Sequence, residues 1–573
     1  MRSKRTQQYR MPGTKKRRGR RAGAAPGAPG ALNGGHGVPT LAERPRLARD
    51  GWTSARRRPT RWWPAPRPHM SGITADHSQA DRPERRIPAM RSPPEGPGLL
   101  PGSPAQRGVA PGAAPAAVRA LCLWALAGLA FYLAWTGWSW IRAVLPDFEY
   151  FYKGGAWLLA HGGLDPGYDL LRNGVRQPRG SLEWYLPFVS RLMTLFAWAP
   201  FEVAGGAWLA CNLAAFVALV RLMGRRLTDL PARDWPVTQL VPVLLMLLAW
   251  SWEFRLNQID TLTLLMLVGS FTLWESGRRG VAGFWLGLAT LVKITPALLI
   301  GWFLLKRQFR VVSVALLTIL LAGPLSDALV FGPAHAADCY RAWLQRAAAR
   351  SSQTGLILNQ LEMDWRNQSL AAVASRWLHP TNFATHFDND PRLRPPDPPA
   401  TLNVVTLPRG VVAAIVGAIS LASLLALAWI ARRPAAELDR WRLRSEWVLF
   451  LLASLWLMPV LRRYHFVLAA PALSVLFGAM HFAGIRSRWT RAALACVGLF
   501  ALTQFAVAER LIWGTKFMEG GGVLLLGLVL LATPHVLLVV GMQRGARPRA
   551  LPVRPLPAAA DGAAAKPPVS AHA

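Results

Sequence analysis

The chain has 573 residues, of which 52% are apolar, with 26 Trp and a formal net charge of +36. Apolar runs recur along most of its length, which excludes an ordinary water-soluble domain and marks a polytopic membrane protein. The positive charge gathers in the first hundred residues and in short links between apolar runs, the loop patterning of a membrane protein and not a nucleic-acid-binding surface.

Residues 1–116 are rich in Arg, Pro, Gly and Ala, with few larger aliphatic side chains, and read as a disordered basic cytoplasmic tail. Lys15 to Arg21 reads as solvated charge, and nothing before residue 117 has the form of a cleavable signal peptide. Apolar segments follow at 117–140, 201–223, 236–252, 258–275, 280–292, 294–306, 311–331, 410–431, 446–460, 464–482, 490–508 and 521–541. The expected fold is all-α, a polytopic membrane protein with about 10–12 transmembrane helices. The pair split by Lys293 and Pro296 reads as two half-helices or one kinked helix. Residues 182–200, interrupted by Pro187 and Arg191, read as an interfacial or re-entrant helix.

Arg225 and Arg226, Arg278 and Arg279, Lys306 to Arg310, Arg432 to Arg444, Arg486 to Arg491 and Arg544 onward all fall on one side of this arrangement. With twelve crossings, both tails are cytoplasmic in a multi-pass protein of the cell membrane. The opposite, extracytoplasmic side receives the Asp147 loop, the Trp252 to Asn257 link, a long loop at 332–409, Arg462 to His465, and Glu509 to Gly520. The domain expectation is thus a membrane domain at 117–541 between the tail at 1–116 and a second disordered tail at 542–573. Cys122, Cys211, Cys339 and Cys496 lie far apart and imply neither a disulfide framework nor a metal knuckle.

The most informative stretch is Asp147 to Leu170, acidic and aromatic, directly after the first membrane-length run. A carboxylate at the membrane edge marks a candidate reaction site. Asp147 also follows Pro146 and precedes an amphipathic pattern, so it fits a helix cap, and Glu149 fits the first turn of the same helix, complementing its dipole. Phe148, Tyr150, Phe151, Tyr152 and Trp157 read as an interfacial aromatic belt or as platforms for sugar faces. Lys293 interrupts an apolar run, where an ammonium is expensive unless it snorkels or meets an anion. Asn367 lies in an Asn-Gln-Ser sequon, ordinarily a surface loop, and Asp388-Asn389-Asp390 reads as a turn and not a metal motif.

Taken in order, Asp147-Phe148 with its aromatics and a Gly-Gly-Leu-Asp-Pro-Gly-Tyr turn, Tyr185-Leu186-Pro187, Asn257-Gln258, Gly287-Leu288-Ala289 with Lys293-Ile294-Thr295-Pro296, Asn367-Gln368-Ser369-Leu370 and Tyr464-His465 together carry a family resemblance. The chain resembles the integral-membrane glycosyltransferases of the GT-C class, specifically the polyprenol-phosphate-mannose-dependent mannosyltransferases of glycosyltransferase family 87, over roughly residues 117–541. Tyr185-Leu186-Pro187 replaces that family's more usual Tyr-Pro-Pro, and Arg255 stands near a common Gly. The resemblance implies an inverting transfer of a hexose, mannose in the family, from a polyprenyl-phosphate donor to an extracytoplasmic glycan or glycolipid hydroxyl, in contact with membrane lipid and without nucleic acid.

Such a transfer removes the acceptor's proton while a phosphate leaves, and Asp147 is the candidate general base, with Glu149 two positions on as the rival acid. A lipid phosphate is a weak base and departs without protonation, so one carboxylate can suffice; no cofactor is expected, and the sequence offers no convincing set of metal ligands. The resemblance implies His465 as a phosphate ligand, with Lys293, Arg255, Arg462 and Arg463 as further candidate cations, and Glu149, Tyr150, Asn257, Gln258 and Asn367 as candidate substrate-binding residues. Two rival functions remain at this level. A lipid-linked glycan polymerase or ligase would depend on Arg341, Arg346, Arg350 and Arg366, and a flippase or transporter would show internal repeats and ionisable residues deep within its helices, neither of which stands out in the sequence.

Overall fold

The structure is a computed structural model that describes residues 114–143, 147–162, 185–350, 352–359, 363–383, 400–484, 487–508 and 519–543, without the side chains of 143, 346–350 and 505–508. Both tails, most of the Gly-Gly-Leu-Asp-Pro-Gly-Tyr turn, and Asp388-Asn389-Asp390 lie outside the described residues. Every regular element among the described residues is helical. All of them fall within one compact unit, 99–573.

Six of the described helices are long and apolar enough to cross a membrane: Ala116–Arg142, Phe201–Arg226, Phe309–Phe331, Arg409–Ile430, Arg463–Ala483 and Val523–Gln543. The pair Ala232–Leu245 and Leu247–Leu256, bent by 77°, makes a seventh if taken as one span. The apolar segments expected at 258–275, 280–292, 294–306 and 446–460 become helices of 16, 14, 9 and 17 residues. Lys293 separates two of them in extended conformation (φ −150°, ψ 129°), so that pair is two helices and not one kinked one. Asp260–Glu275 and Arg440–Trp456 are buried around most of their circumference. A helix enclosed by protein need not match the bilayer's thickness.

Burial separates centre from periphery. The best apolar window of the 463–483 span is 78% buried, whereas the windows of the first helix and of Arg409–Ile430 are only 17% buried. The first helix turns Leu121, Trp124, Phe131 and Trp135 outward, as a lipid-facing surface requires. Near the centre Phe271 stacks on Trp447 at 4.6 Å, and Trp274 meets Trp302 edge-on at 5.5 Å.

Several charges that the sequence places among the cytoplasmic links are internal. Lys306 is 0% exposed, donates to the carbonyls of Ala431 and Arg433 at 2.9 Å each, and pairs with Glu446. Arg442 also holds Glu446, at 2.9 Å, while Arg444 bridges Asp229 at 3.0 Å and Glu275 at 3.3 Å. Periodicity shows where an arginine falls but not the acid that will face it.

The stretch expected to lie at the interface is a helix of 11 residues, Pro187–Ala197, about 16 Å long and too short to cross. Its Arg191 pairs with buried Asp327 at 2.7 Å and donates to Ser326 Oγ at 2.6 Å, which anchors the helix to the segment Ser326–Phe331. It packs against the amphipathic helix Phe148–His161 so closely that a Cβ on Gly155 would lie 2.7 Å from the carbonyl carbon of Met193. Backbone cannot yield there as a flexible side chain would. Gly155→Ala should therefore destabilise the detergent-solubilised protein by about 1–3 kcal/mol, read as a lowered Tm.

Candidate functional site

The site is built around a single turn. The helix Leu247–Leu256 ends at Asn257, which adopts the left-handed conformation (φ 52°, ψ 47°) that Asn tolerates better than most residues. Three residues one or two turns apart on the helix Phe201–Arg226 grip this turn. Asn257 Nδ2 donates to the Gly205 carbonyl (3.1 Å), Trp208 Nε1 donates to the Asn257 carbonyl (3.0 Å), and Asn212 Nδ2 donates to the Gln258 carbonyl (2.7 Å). Buried Glu253 completes the clasp by accepting from Thr261 N (2.8 Å) and Thr261 Oγ1 (3.2 Å) at the start of the next helix.

This clasp presents Gln258, whose Nε2 donates to Asp147 Oδ2 at 2.5 Å. Asp147 occupies the N-cap position of Phe148–His161 yet makes no side-chain cap bond, so its carboxylate is directed to the turn and not to its own helix. Tyr185 donates its hydroxyl to Gln258 Oε1 (3.3 Å), which fixes the amide's orientation. Burial first, and then Tyr464, Asp260, Asp147 and Glu253, push the Tyr185 pKa well up, so its proton stays available for that bond. Glu149 pairs with Lys153 at 2.6 Å along the same helix. Tyr150, half-buried, donates its backbone N–H to the Asp147 carbonyl at 3.0 Å. Phe148 and Phe151 are core residues, 0% and 1% exposed, the first stacked on Trp208 and the second edge-on to Tyr185. They form neither a belt nor a sugar platform.

Beside this lies a second polar group. Lys293 meets Asp260 Oδ1 at 2.5 Å, and Asp260 is 0% exposed. His465 Nδ1 accepts from the Arg462 backbone N–H (3.0 Å), which leaves the ring proton on Nε2, 3.8 Å from Asp260 Oδ2. Asp260 went unnoticed in the sequence. The signal available was Lys293 itself, because a lysine inside an apolar run calls for a buried acid.

The loop after 362 closes over this region through backbone carbonyls. Arg376, 0% exposed, donates to the carbonyls of Gly520 (2.7 Å), Asp364 (2.7 Å) and Asn367 (2.8 Å). Burial lowers its pKa to about 10, which keeps it charged at neutral pH. Asn367, also 0% exposed, is a strut: Oδ1 accepts from Leu461 N (2.9 Å) and Ser369 N (3.0 Å), and Nδ2 donates to the Pro459 carbonyl (3.2 Å). Its sequon is therefore interior, contrary to the surface-loop expectation.

The candidate cations differ in their partners. Arg462 pairs with Asp364 at 2.8 Å, Arg463 pairs with Glu519, and Lys293 pairs with Asp260. Arg255 has no carboxylate within ion-pair distance among the described residues, and its buried Nε has no hydrogen-bond partner. Its guanidinium sits 5.9 Å from the Trp140 ring and 5.6 Å from the Trp252 ring. Trp252 is in turn 5.2 Å from Arg463, Trp365 lies 5.7 Å from Arg463, and Arg366 lies 5.2 Å from Trp365. Indoles and guanidiniums thus alternate along one edge of the site.

Residues 184–417 match the model of glycosyltransferase family 87. The chain is similar to glycosyltransferase family 87 over that segment. Over 233 residues the chain is 30% identical to a polyprenol-phosphate-mannose-dependent alpha-(1-2)-phosphatidylinositol mannoside mannosyltransferase of Mycobacterium tuberculosis, an alignment covering 36% of this chain and 51% of the relative. The chain thus spans about half of that relative's length. No solved structure matches the chain.

The matched segment contains Tyr185, Arg255, Asn257, Gln258, Lys293 and Asn367, together with Asp260. Asp147, Glu149, Tyr150, Arg462, Arg463 and His465 lie outside it and reach the site only through the fold. Glu519, 0% exposed, links the closing loop to this edge. Burial raises its pKa to about 7 against the opposing charges of Arg463, Arg366 and Arg376. Its contribution to stability is complete below its unfolded pKa, about 4.5, and is lost as pH rises through about 7. Thermal melts of wild type and Glu519→Gln across this range should show a fall in Tm with rising pH that the variant flattens.

Proposed function

We propose that the protein transfers a hexose, in the first place mannose, from a polyprenyl-phosphate donor to a hydroxyl of an extracytoplasmic glycan or glycolipid, with inversion at the anomeric carbon. The reading rests above all on one observation, the 2.5 Å bond by which Gln258 fixes the Asp147 carboxylate beside the family 87 segment. In this scheme Asp147 takes the acceptor's O–H proton as the acceptor oxygen bonds to the anomeric carbon. The bond from that carbon to the phosphate oxygen breaks at the same time, and the lipid phosphate leaves with the electron pair. A single in-line displacement inverts the centre, and one base is enough because the phosphate needs no acid.

Arg255 is assigned to the departing phosphate. Its candidate competitors already face carboxylates, whereas Arg255 is held between two indole faces with unsatisfied donor capacity. Asp260, Lys293 and His465 then form the supporting floor, and Gln258 and Tyr185 position the base. Residues 117–541 make up the transferase domain in this proposal, with both tails cytoplasmic and the Asp147 face extracytoplasmic. The relative's printed activity, which names a polyprenol-phosphate-mannose donor, supports the donor class.

With purified protein and radiolabelled polyprenyl-phosphate sugars, Asp147→Asn should lower turnover by about 10²–10⁴-fold while donor binding persists. Undiminished turnover would remove the mechanism. Gln258→Ala should lower kcat by about 10–100-fold with little change in KM, because only the geometry of the base is relaxed. Arg255→Ala should instead raise the donor KM by about 10–100-fold, the loss of a charge-assisted phosphate contact. An unchanged donor KM would reassign the phosphate to another cation.

A further inference from the structure

At the opposite end of the same helices lies a groove of about 510 Å³ that the transfer reaction does not use. From Gly205, which touches the Asn257 turn, to Arg226 the helix Phe201–Arg226 rises about 30 Å, so the groove and the Asp147 site sit near opposite membrane surfaces. Leu222, Leu265 and Trp285, from three different helices, line its apolar wall. Gly269 opens the wall: a Cβ there would meet nothing within 4 Å.

The mouth carries Arg226 and Arg278, both exposed, and no acidic residue lines the groove. Neither arginine has an ion pair among the described residues. Glu275, the acid nearest in sequence to Arg278, is buried and turned to Arg440 (3.5 Å) and Arg444 (3.3 Å). The hydroxyls of Thr272 and Ser276 donate within their own helix, to the carbonyls of Gly269 (3.1 Å) and Thr272 (2.8 Å). Polar recognition in this groove therefore falls to two guanidiniums above a hydrocarbon-lined slot.

We propose that this groove is a binding site for one anionic glycerophospholipid, with its phosphodiester between Arg226 and Arg278 and the start of an acyl chain along Leu222, Leu265 and Trp285. A basic pocket between membrane helices, at the end of apolar walls, complements a lipid that is both anionic and amphiphilic. A free anion would leave the apolar wall without an occupant, and a zwitterionic lipid would bring its own ammonium beside the two guanidiniums. The inference does not depend on the transferase reading.

Native mass spectrometry of the purified full chain, titrated with dioleoyl phosphatidylglycerol or dioleoyl phosphatidylcholine, tests it. Wild type should retain one phosphatidylglycerol about thirtyfold more tightly than phosphatidylcholine, the preference expected of two surface arginines. The double variant Arg226→Gln, Arg278→Gln should lose that preference. Gly269→Leu, which keeps the charges but fills the slot, should weaken retention of that single lipid. Arg432→Gln, an exposed arginine outside the groove, should change nothing. A preference that survives the double variant, or displacement of the lipid by millimolar inorganic phosphate, would overturn the proposal.

Discussion

The left-handed turn at Asn257 is the constraint from which the site follows. A backbone that leaves one helix and enters the next within three residues must expose polar groups at the protein's interior, and each such group needs a partner. Gly205, Trp208 and Asn212 satisfy them from one helix face, and Glu253 does so from within. The turn is thereby rigid, and Gln258 can aim its amide at a carboxylate that belongs to a different part of the chain. A base held this way loses little orientational freedom when a reaction begins.

The second principle of the molecule is that charge is buried in pairs. Lys293 with Asp260, Arg191 with Asp327, Lys306 with Glu446, and Arg444 with Asp229 and Glu275 each join segments remote in sequence. Desolvating such a pair costs about as much as its attraction returns, so these contacts act mainly on geometry: removing one partner leaves the other stranded. Against that background, Arg255 stands out because its company is aromatic and not acidic. The same test, applied at the far end of the bundle, separates Arg226 and Arg278 from Arg440 and Arg444.

The family match and the site do not coincide. The segment 184–417 carries the turn, Asp260, Lys293 and the closing loop, while the acid at Asp147 and the imidazole at His465 come from either side of it. The matched segment supplies the platform and the flanks supply the groups set upon it. Glu519, from further still, ties the loop down through its pairing with Arg463 and its carbonyl's bond from Gln368.

From the sequence alone one can read the all-helical membrane class, the short helix at 182–200 and an interruption at Lys293, features that depend on local properties: run length, and a proline or charge inside an apolar run. Asp147, Gln258, Arg255, Lys293 and His465 were candidates through their expected side of the membrane and the family resemblance. Whether the Asp147 side chain caps its own helix was left open, and so was the partner of every buried cation. Asp260 was not noticed, Asn367 was expected at a surface it does not reach, and Lys306, Arg442 and Arg444 were counted only as charges on the cytoplasmic side. Only the tertiary structure decided these points, because which charges meet is set by how helices pack across the bundle, and the repeat of a helix encodes which face is apolar but not which neighbour that face will touch.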